Sequence, residues 1–176
     1  MMENTAFAEA LLAEAKRQGC GEAETYYAAR DAFLVDVQNG EPERYSVSAV
    51  RGVGLRVQVN GRDGYAYTER FSDAEALVRR AMDNARTVED DDAHPMQTAQ
   101  TYAAVMERTT ALDGLDAAGK IALARELERL TLATDARVKR VVTCAVQQGS
   151  GEIAMRALSI ARRTSASASE KFSVYA

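Results

Sequence analysis

Two Asn-Gly dipeptides, Asn39-Gly40 and Asn60-Gly61, constrain the fold of this chain more than any other feature of its sequence. They punctuate segments in which apolar and polar residues alternate, and the cleanest of these segments runs from Val53 to Val59. Asn and Gly both accept the positive φ angles that a two-residue hairpin turn requires. Period-two alternation around such turns predicts antiparallel strands, and we expect a meander of about four strands between residues 33 and 67.

Helical periodicity flanks this meander on both sides. A first helix is predicted from about Thr5 to Gln18, and a second follows Ser72, which we expect to cap it within a Ser-x-x-Glu capping box. A third helix is predicted from about Asp116 to Leu132. The residues expected on its buried face are Leu123, Leu127 and Leu130.

A second hairpin is predicted near the end of the chain. Residues 138–147 alternate, Gly149-Ser150-Gly151 is a turn signal, and residues 152–157 would return as the partner strand. An exposed edge of this hairpin could add a peptide strand through main-chain hydrogen bonds. The order of elements predicts the α+β class, with a mainly antiparallel sheet and helices packed on one side.

Domain organisation follows from where this pattern stops. We expect one domain over residues 1–158 and an atypical tail over residues 159–176. The stretch from Thr164 to Ser169 contains only small residues of low complexity, and an exposed edge strand and disorder both remain open for it. The polar segment from Glu89 to Gln100 is predicted to be a loop or linker.

Composition and charge exclude several classes of protein. The net charge is -4 and no basic stripe interleaves with aromatic residues, so we expect no nucleic-acid partner. No apolar run approaches the roughly 18 residues that span a bilayer, and the first residues lack the pattern of a signal peptide. Cys20 and Cys144 have no framework spacing and are interpreted as reduced, structural thiols. The predicted compartment is the cytoplasm.

Two glycine motifs resemble phosphate-binding or dinucleotide-binding loops without meeting their requirements. Gly114 to Lys120 has the P-loop spacing, but Ile121 stands where the Mg²⁺-binding hydroxyl should be. We therefore expect a loop, an aspartate cap and an amphipathic helix there. Gly52-Val53-Gly54 lies inside an alternating segment with no helix after it, so the context of a dinucleotide fingerprint is missing. Glycine at these positions is expected to let another backbone or a bulky side chain approach the strand.

No catalytic constellation is visible in the sequence. His94 is the only histidine, whereas a catalytic zinc site needs three protein ligands. The neighbouring residues 90–92 are all aspartate and are interpreted as a solvated acidic loop. We therefore assign no catalytic, cofactor-binding or metal-binding residue, and we expect no cofactor in this chain.

Several segments of the chain, taken together, resemble one family of domains. They are residues 21–27, 51–57, 61–68, 81–86 and 138–155. In combination they are similar to the amino-terminal domain of the TldD/PmbA metallopeptidase family, over roughly residues 5–157. This resemblance implies the fold of that domain. Asn84-Ala85-Arg86, with the acidic run after it, is closer to the PmbA-type subunit than to the TldD-type.

The resemblance also implies a function. In this family a zinc-bearing, TldD-like subunit carries a His-Glu-x-x-x-His helix, and the PmbA-like partner does not bind the metal. The chain is therefore expected to be a non-catalytic domain, inactive alone, within a homo- or hetero-oligomer that acts on unfolded peptides in peptide maturation and proteolysis. Zinc is expected only in the partner subunit.

The sequence departs from the family after Ala157, where a long carboxy-terminal domain should begin. A truncated or frameshifted reading frame would explain this departure. Two alternatives to the peptidase role stay open. One is a free-standing binding or oligomerisation module, and the other is an inert gene fragment with an exposed apolar patch.

Overall fold

The structure, a computed structural model, describes residues 2–89, 96, 110–158 and 165–175, with side chains within residues 5–158 of these ranges. The elements in chain order are α1 (Met2–Arg17), β1 (Glu22–Gln38), β2 (Glu41–Val59), β3 (Arg62–Thr68), α2 (Ala74–Thr87), a 3₁₀ turn (Ala111–Gly114), α3 (Ala117–Ala133), β4 (Cys144–Leu158) and β5 (Ser165–Tyr175). The strands form one sheet in the order β3-β2-β1-β4-β5. The predicted α+β class with antiparallel pairing is confirmed.

Both Asn-Gly turns are present, but the meander has fewer and longer strands than predicted. Asn39 and Asn60 have φ angles of 54° and 52°, and the glycine after each also has a positive φ. The prediction of four strands is wrong, because residues 41–59 form the single strand β2. Gly52 and Gly54 have no positive φ, so the chain passes through them extended and does not turn.

The described chain divides into two compact units. The first comprises residues 1–29, 51–105 and 152–167. Its core lies between one face of the strands and the apolar faces of the two helices α1 and α2, in agreement with the helical periodicity of the sequence. The central buried side chains are Phe7, Leu11, Ala15, Val53, Leu55, Val57, Leu77, Val78 and Ala81. Burial of such apolar surface is the main force that holds helices on a sheet.

A glycine allows α2 to lie directly on β3. A Cβ atom at Gly64 would come within 2.0 Å of the Ala81 carbonyl oxygen and 2.6 Å of the Ala85 nitrogen. No other residue type fits beneath the helix backbone at this point. The prediction that Ser72 caps α2 is wrong by one residue, since the Asp73 carboxylate accepts the hydrogen bond from the Ala76 N–H at 2.9 Å. An aspartate is as good an N-cap as a serine.

The second unit comprises residues 30–50, 106–151 and 168–176. Phe33, Val35 and Val37 of β1 form its core with one residue each from α3 and β4. The predicted leucine face of α3 is wrong, because Leu123 and Leu130 are 37% and 51% exposed. The residues of α3 that are buried are Ala124 and Glu128.

A polar anchor explains why a glutamate is buried on α3. The Glu128 carboxylate accepts hydrogen bonds from the backbone N–H groups of Asn39 and Gly40, each at 2.7 Å. Turn amides that face a helix need an acceptor, and a carboxylate satisfies two of them at once. The helix therefore turns this residue inward, and the leucines lie toward its exposed side.

The predicted terminal hairpin is wrong. β4 runs without a turn through Gly149–Gly151, and residues 138–143 are not part of a strand. Its two ends follow β1: the Cys144 N–H donates to the Asp36 carboxylate at 3.2 Å, and the Thr25 hydroxyl donates to the Arg156 carbonyl at 3.4 Å. A 17-residue β1 thus provides a partner for one long strand. Because β4 lies between β1 and β5, it is not the free edge that strand addition by a peptide would require.

The remaining predictions concern the tail, the polar loop, membrane-spanning helices and the domain boundary. For the tail, an edge strand and disorder were both open, and residues 165–175 form the strand β5. Most of the predicted loop at residues 89–100, including His94 and the aspartates at 90–92, lies outside the described residues. Among the helices that the structure describes, none combines the length and apolar character of a bilayer-spanning helix. The domain boundary at residue 158 stays a prediction.

Candidate functional site

The first unit has an open sheet face opposite its helices, and three tyrosines project from it. Alternation along β2 and β3 buries Val53, Leu55 and Val57 and sends the intervening side chains to the other face. There Tyr26, Tyr65 and Tyr67 are 43%, 59% and 55% exposed. Together with Glu24, Gly54 and Arg56 these tyrosines line a groove of about 380 Å³, which we call the tyrosine groove.

Gly54 lines the tyrosine groove, and Gly52 lies beside it under the Tyr67 ring. Gly54 of β2 lies directly opposite Tyr67 of β3 in the strand register. A Cβ atom on Gly52 would lie 2.1 Å from the Tyr67 hydroxyl oxygen, so the Tyr67 ring crosses the strand over this glycine. The prediction that a bulky side chain approaches the strand here is confirmed. Glycine at this place lets the ring lie close to the sheet instead of standing away from it.

Tyr65 is held from both sides of its strand. Arg56 faces it in the register, with the guanidinium carbon 6.0 Å from the centre of the Tyr65 ring. This is within the range of a cation–π contact. The Asn84 side chain of α2 donates a hydrogen bond to the Tyr65 carbonyl at 2.7 Å. The helix α2 on the closed face thus fixes the backbone of Tyr65, whose ring lies on the open face.

Two carboxylates outside the lining hold polar groups of the groove. The Arg56 guanidinium donates to Asp63 at 2.7 Å, and both side chains are largely buried. Burial opposes the charged form of Arg56, but the hydrogen bond and charge of Asp63 outweigh it, so the pKa of Arg56 is raised. The Tyr67 hydroxyl donates to Glu69 at 3.2 Å. Burial and this hydrogen bond together raise the pKa of Tyr67.

The motifs singled out in the sequence do not form a catalytic site. Asp116 accepts a hydrogen bond from the Gly119 N–H at 2.7 Å and begins α3, so the interpretation of the P-loop-like segment as a capped helix is confirmed. Cys20 and Cys144 are both buried free thiols, and burial raises the pKa of each. Thiols in this state are poor nucleophiles and poor metal ligands.

The residues that are described do not fit a zinc ion. Within these ranges, no group of three or more His, Cys, Asp or Glu side chains converges in a way that could hold a metal. His94, the one histidine of the sequence, lies outside them. The described part of the chain therefore brings together no set of side chains that would serve as a metal centre.

Sequence reasoning missed the tyrosine groove, although part of its signal was present. Tyr65 and Tyr67 are two residues apart in a strand, and so are Gly52 and Gly54, which places each pair on a single face. The Asn60-Gly61 turn brings these faces together. Two tyrosines on one face of a strand, one of them opposite a glycine across a two-residue turn, thus predict an exposed aromatic surface.

Fold and groove together define an α+β domain with one closed and one open, aromatic sheet face. Residues 23–85 match the family profile described as PmbA/TldA metallopeptidase domain 1, and these residues include both Asn-Gly turns and all three tyrosines of the groove. This part of the chain is therefore similar to domain 1 of the PmbA/TldD metallopeptidase family. No curated protein matches the chain.

Solved structures share the fold over most of this chain. A candidate modulator of a DNA gyrase from Thermotoga maritima aligns over 94% of this chain with a TM-score of 0.79 and 18% identity. A similarly described protein from Bacteroides thetaiotaomicron aligns over 96% with a TM-score of 0.70 and 20% identity. TldE from Thermococcus kodakarensis aligns over 92% with a TM-score of 0.70 and 12% identity. The chain covers 38%, 39% and 37% of those three chains.

Proposed function

We propose that this chain is a non-catalytic, amino-terminal domain of a PmbA-like subunit, which works in a peptidase complex with a zinc-bearing, TldD-like subunit. The observation that carries the proposal is the match of residues 23–85 to domain 1 of the family. The similarity of fold to TldE supports the choice of the PmbA-like side, as do Asn84 and Arg86 at the end of α2. The cytoplasm remains the predicted compartment.

The role of the domain in such a complex is to bind and not to cleave. Tyrosine is enriched at protein interfaces because its ring buries apolar area while its hydroxyl stays hydrated. Tyr26, Tyr65 and Tyr67 present three such rings on a rigid strand surface. We therefore assign to the tyrosine groove the contact with unfolded peptide during peptide maturation or proteolysis.

The test uses the 176-residue chain together with a zinc-bearing TldD-type subunit. We expect the two to co-purify through a tag on this chain, and the mixture to cleave an unfolded casein substrate. The chain alone should show neither cleavage nor stoichiometric zinc by elemental analysis. Cleavage by the chain alone, or one tightly bound zinc per chain, would contradict the proposal.

The tyrosine groove also favours a second candidate, a free-standing binding or oligomerisation module. Such a module would use the exposed tyrosines without any peptidase subunit. The two candidates separate in the same experiment, because a free-standing module would not co-purify with the TldD-type subunit. Analytical ultracentrifugation of the chain alone would then report whether it self-associates.

A further inference from the structure

Carboxylates lie both in the lining of the tyrosine groove and beside it. Glu24 lies in its lining, and Glu69 accepts the hydrogen bond from Tyr67 at its rim. Among the described lining residues the cation is Arg56, and the Asp63 carboxylate pairs with it. Glu24, Asp63 and Glu69 therefore place carboxylates in and beside the groove, whose described lining contains the guanidinium of Arg56. A ligand with a positive charge gains from this arrangement, and an anionic ligand is repelled.

The chain itself already shows how a cation is held on this surface. The Arg56 guanidinium lies over the Tyr65 ring and donates to Asp63, so one ring and one carboxylate share one cation. Tyr26 and Tyr67 are two more half-exposed rings, with Glu24 beside them in the same groove. Aromatic rings attract cations through the negative charge of their faces, and a nearby carboxylate strengthens the attraction.

We propose that the tyrosine groove binds the basic side chain of an extended peptide, an arginine or a lysine. The aliphatic stem of that side chain would lie along Gly54 and the Tyr67 ring, and its charged head would lie by Tyr26 and Glu24. Long basic side chains suit such a site because they bury an apolar stem while keeping a cationic tip. This inference rests on the proposed function, in which the groove contacts unfolded peptide.

The size of the groove agrees with this ligand. A volume of about 380 Å³ is at the lower end of the range of small-ligand pockets, and its lining is mostly apolar. It has room for one long side chain and the backbone next to it. Gly54 contributes here, because a Cβ atom at this position would occupy the space into which the stem must fit.

The experiment compares two peptides that differ only in charge. Each is an unstructured Gly-Ser peptide, with arginine at its centre in one and citrulline, a neutral isostere of arginine, in the other. Binding to the isotopically labelled 176-residue chain is followed by the amide NMR shifts of Gly54 and Tyr67. We expect the arginine peptide to bind at least fivefold more tightly, and the difference to shrink in high salt.

Variants of the chain test which side chains of the groove bind the arginine peptide. Glu24→Gln should reduce the affinity for the arginine peptide to near that of the citrulline peptide, and Tyr26→Ala should weaken it several-fold. The matched control is Tyr45→Ala. Tyr45 is a tyrosine of the second unit that is 52% exposed, and its removal should leave binding of the arginine peptide unchanged. Because the peptide pair is measured on the unaltered chain, the comparison does not depend on any variant folding.

Two results would overturn the inference: equal binding of both peptides, or a dimer of the chain in solution that buries the groove. Neither depends on the TldD-type subunit. Failure of co-purification, with charge discrimination intact, would reject the peptidase complex and leave the basic-side-chain site standing. Equal binding of both peptides, with co-purification intact, would reject this site and leave the complex.

Discussion

The two faces of the sheet in the first unit are built from the same strands, but the groups that pack closely on their glycines differ in how freely they can move. On the closed face Gly64 lies under the backbone of α2, with Ala81 and Ala85 above it. On the open face Gly52 lies under the end of the Tyr67 side chain. A helix backbone can move only together with its whole element, whereas a tyrosine ring can rotate away. A substitution of a glycine therefore costs more stability where the neighbour above it cannot move.

The largest expected effect comes from truncating a side chain on the closed face. Leu55 is 1% exposed within the core of the first unit. Leu55→Ala should lower the free energy of unfolding by about 2–5 kcal/mol, because it leaves a cavity that the helices cannot fill. Chemical denaturation followed by circular dichroism measures this loss.

The matched change on the open face is Tyr65→Ala, which removes a larger side chain that is 59% exposed. Its expected cost is about 1 kcal/mol or less, because only a cross-strand contact is lost. If both substitutions cost the same, the two faces would not differ in the way described.

The second expected effect is that of Gly64→Ala. The added Cβ atom would lie 2.0 Å from the Ala81 carbonyl oxygen, so α2 must lift from the sheet. We expect a loss of about 1–3 kcal/mol in unfolding free energy, as for other overpacked sites. Gly21→Ala is the control, since nothing lies within 4 Å of a Cβ atom at that position. A loss of equal size in the control would assign the effect to the backbone and not to α2.

Much of the closed face could be predicted from sequence, because apolar periodicity reports burial directly. The stripe on α2 from Leu77 to Ala85 and the faces of α1 and β2 follow from spacing alone. The core of the second unit could not be predicted in the same way. Glu128 is buried because it meets the amides of a turn 88 residues away, and no local pattern shows such a partner. The leucines of α3 were therefore assigned to the wrong side.

The open face could be predicted only in part. Pairing outward from the Asn60-Gly61 turn places Gly54 opposite Tyr67, as observed. Pairing outward from Asn39-Gly40 in the same way places Tyr26 opposite Val53, which would put it on the closed face. In the structure Tyr26 is exposed and its carbonyl lies 3.8 Å from a Cβ position on Gly54. Such a change of register is typical of a long hairpin that contains a bulge, which sequence does not reveal.

A smaller effect is expected for Gly52→Ala. The nearest atoms to the added Cβ atom all belong to the ring end of Tyr67, which can rotate into solvent. We expect a loss of about 0.5–1 kcal/mol in unfolding free energy, the cost of an altered rotamer, together with a clear change in the Tyr67 ring signals by NMR. A loss of unfolding free energy as large as that of Gly64→Ala would show that Tyr67 is as immobile as the helix, and would contradict the difference described between the two faces.

The smallest expected effect is electrostatic and concerns the hydroxyl of Tyr67. Burial and the hydrogen bond to Glu69 both favour the neutral phenol, so the pKa of Tyr67 lies above its ordinary value of 10 in the folded protein. The resulting stabilisation is complete below that value and is lost as the pH rises through the raised pKa. Glu69→Gln should move the pKa of Tyr67 part of the way back toward 10, because burial remains, and NMR titration of the tyrosine ring carbons measures the change. Glu75→Gln, on an exposed side of α2, should leave the pKa of Tyr67 unchanged, and an equal shift in both variants would mean that the general charge of the protein, and not the open face, sets it.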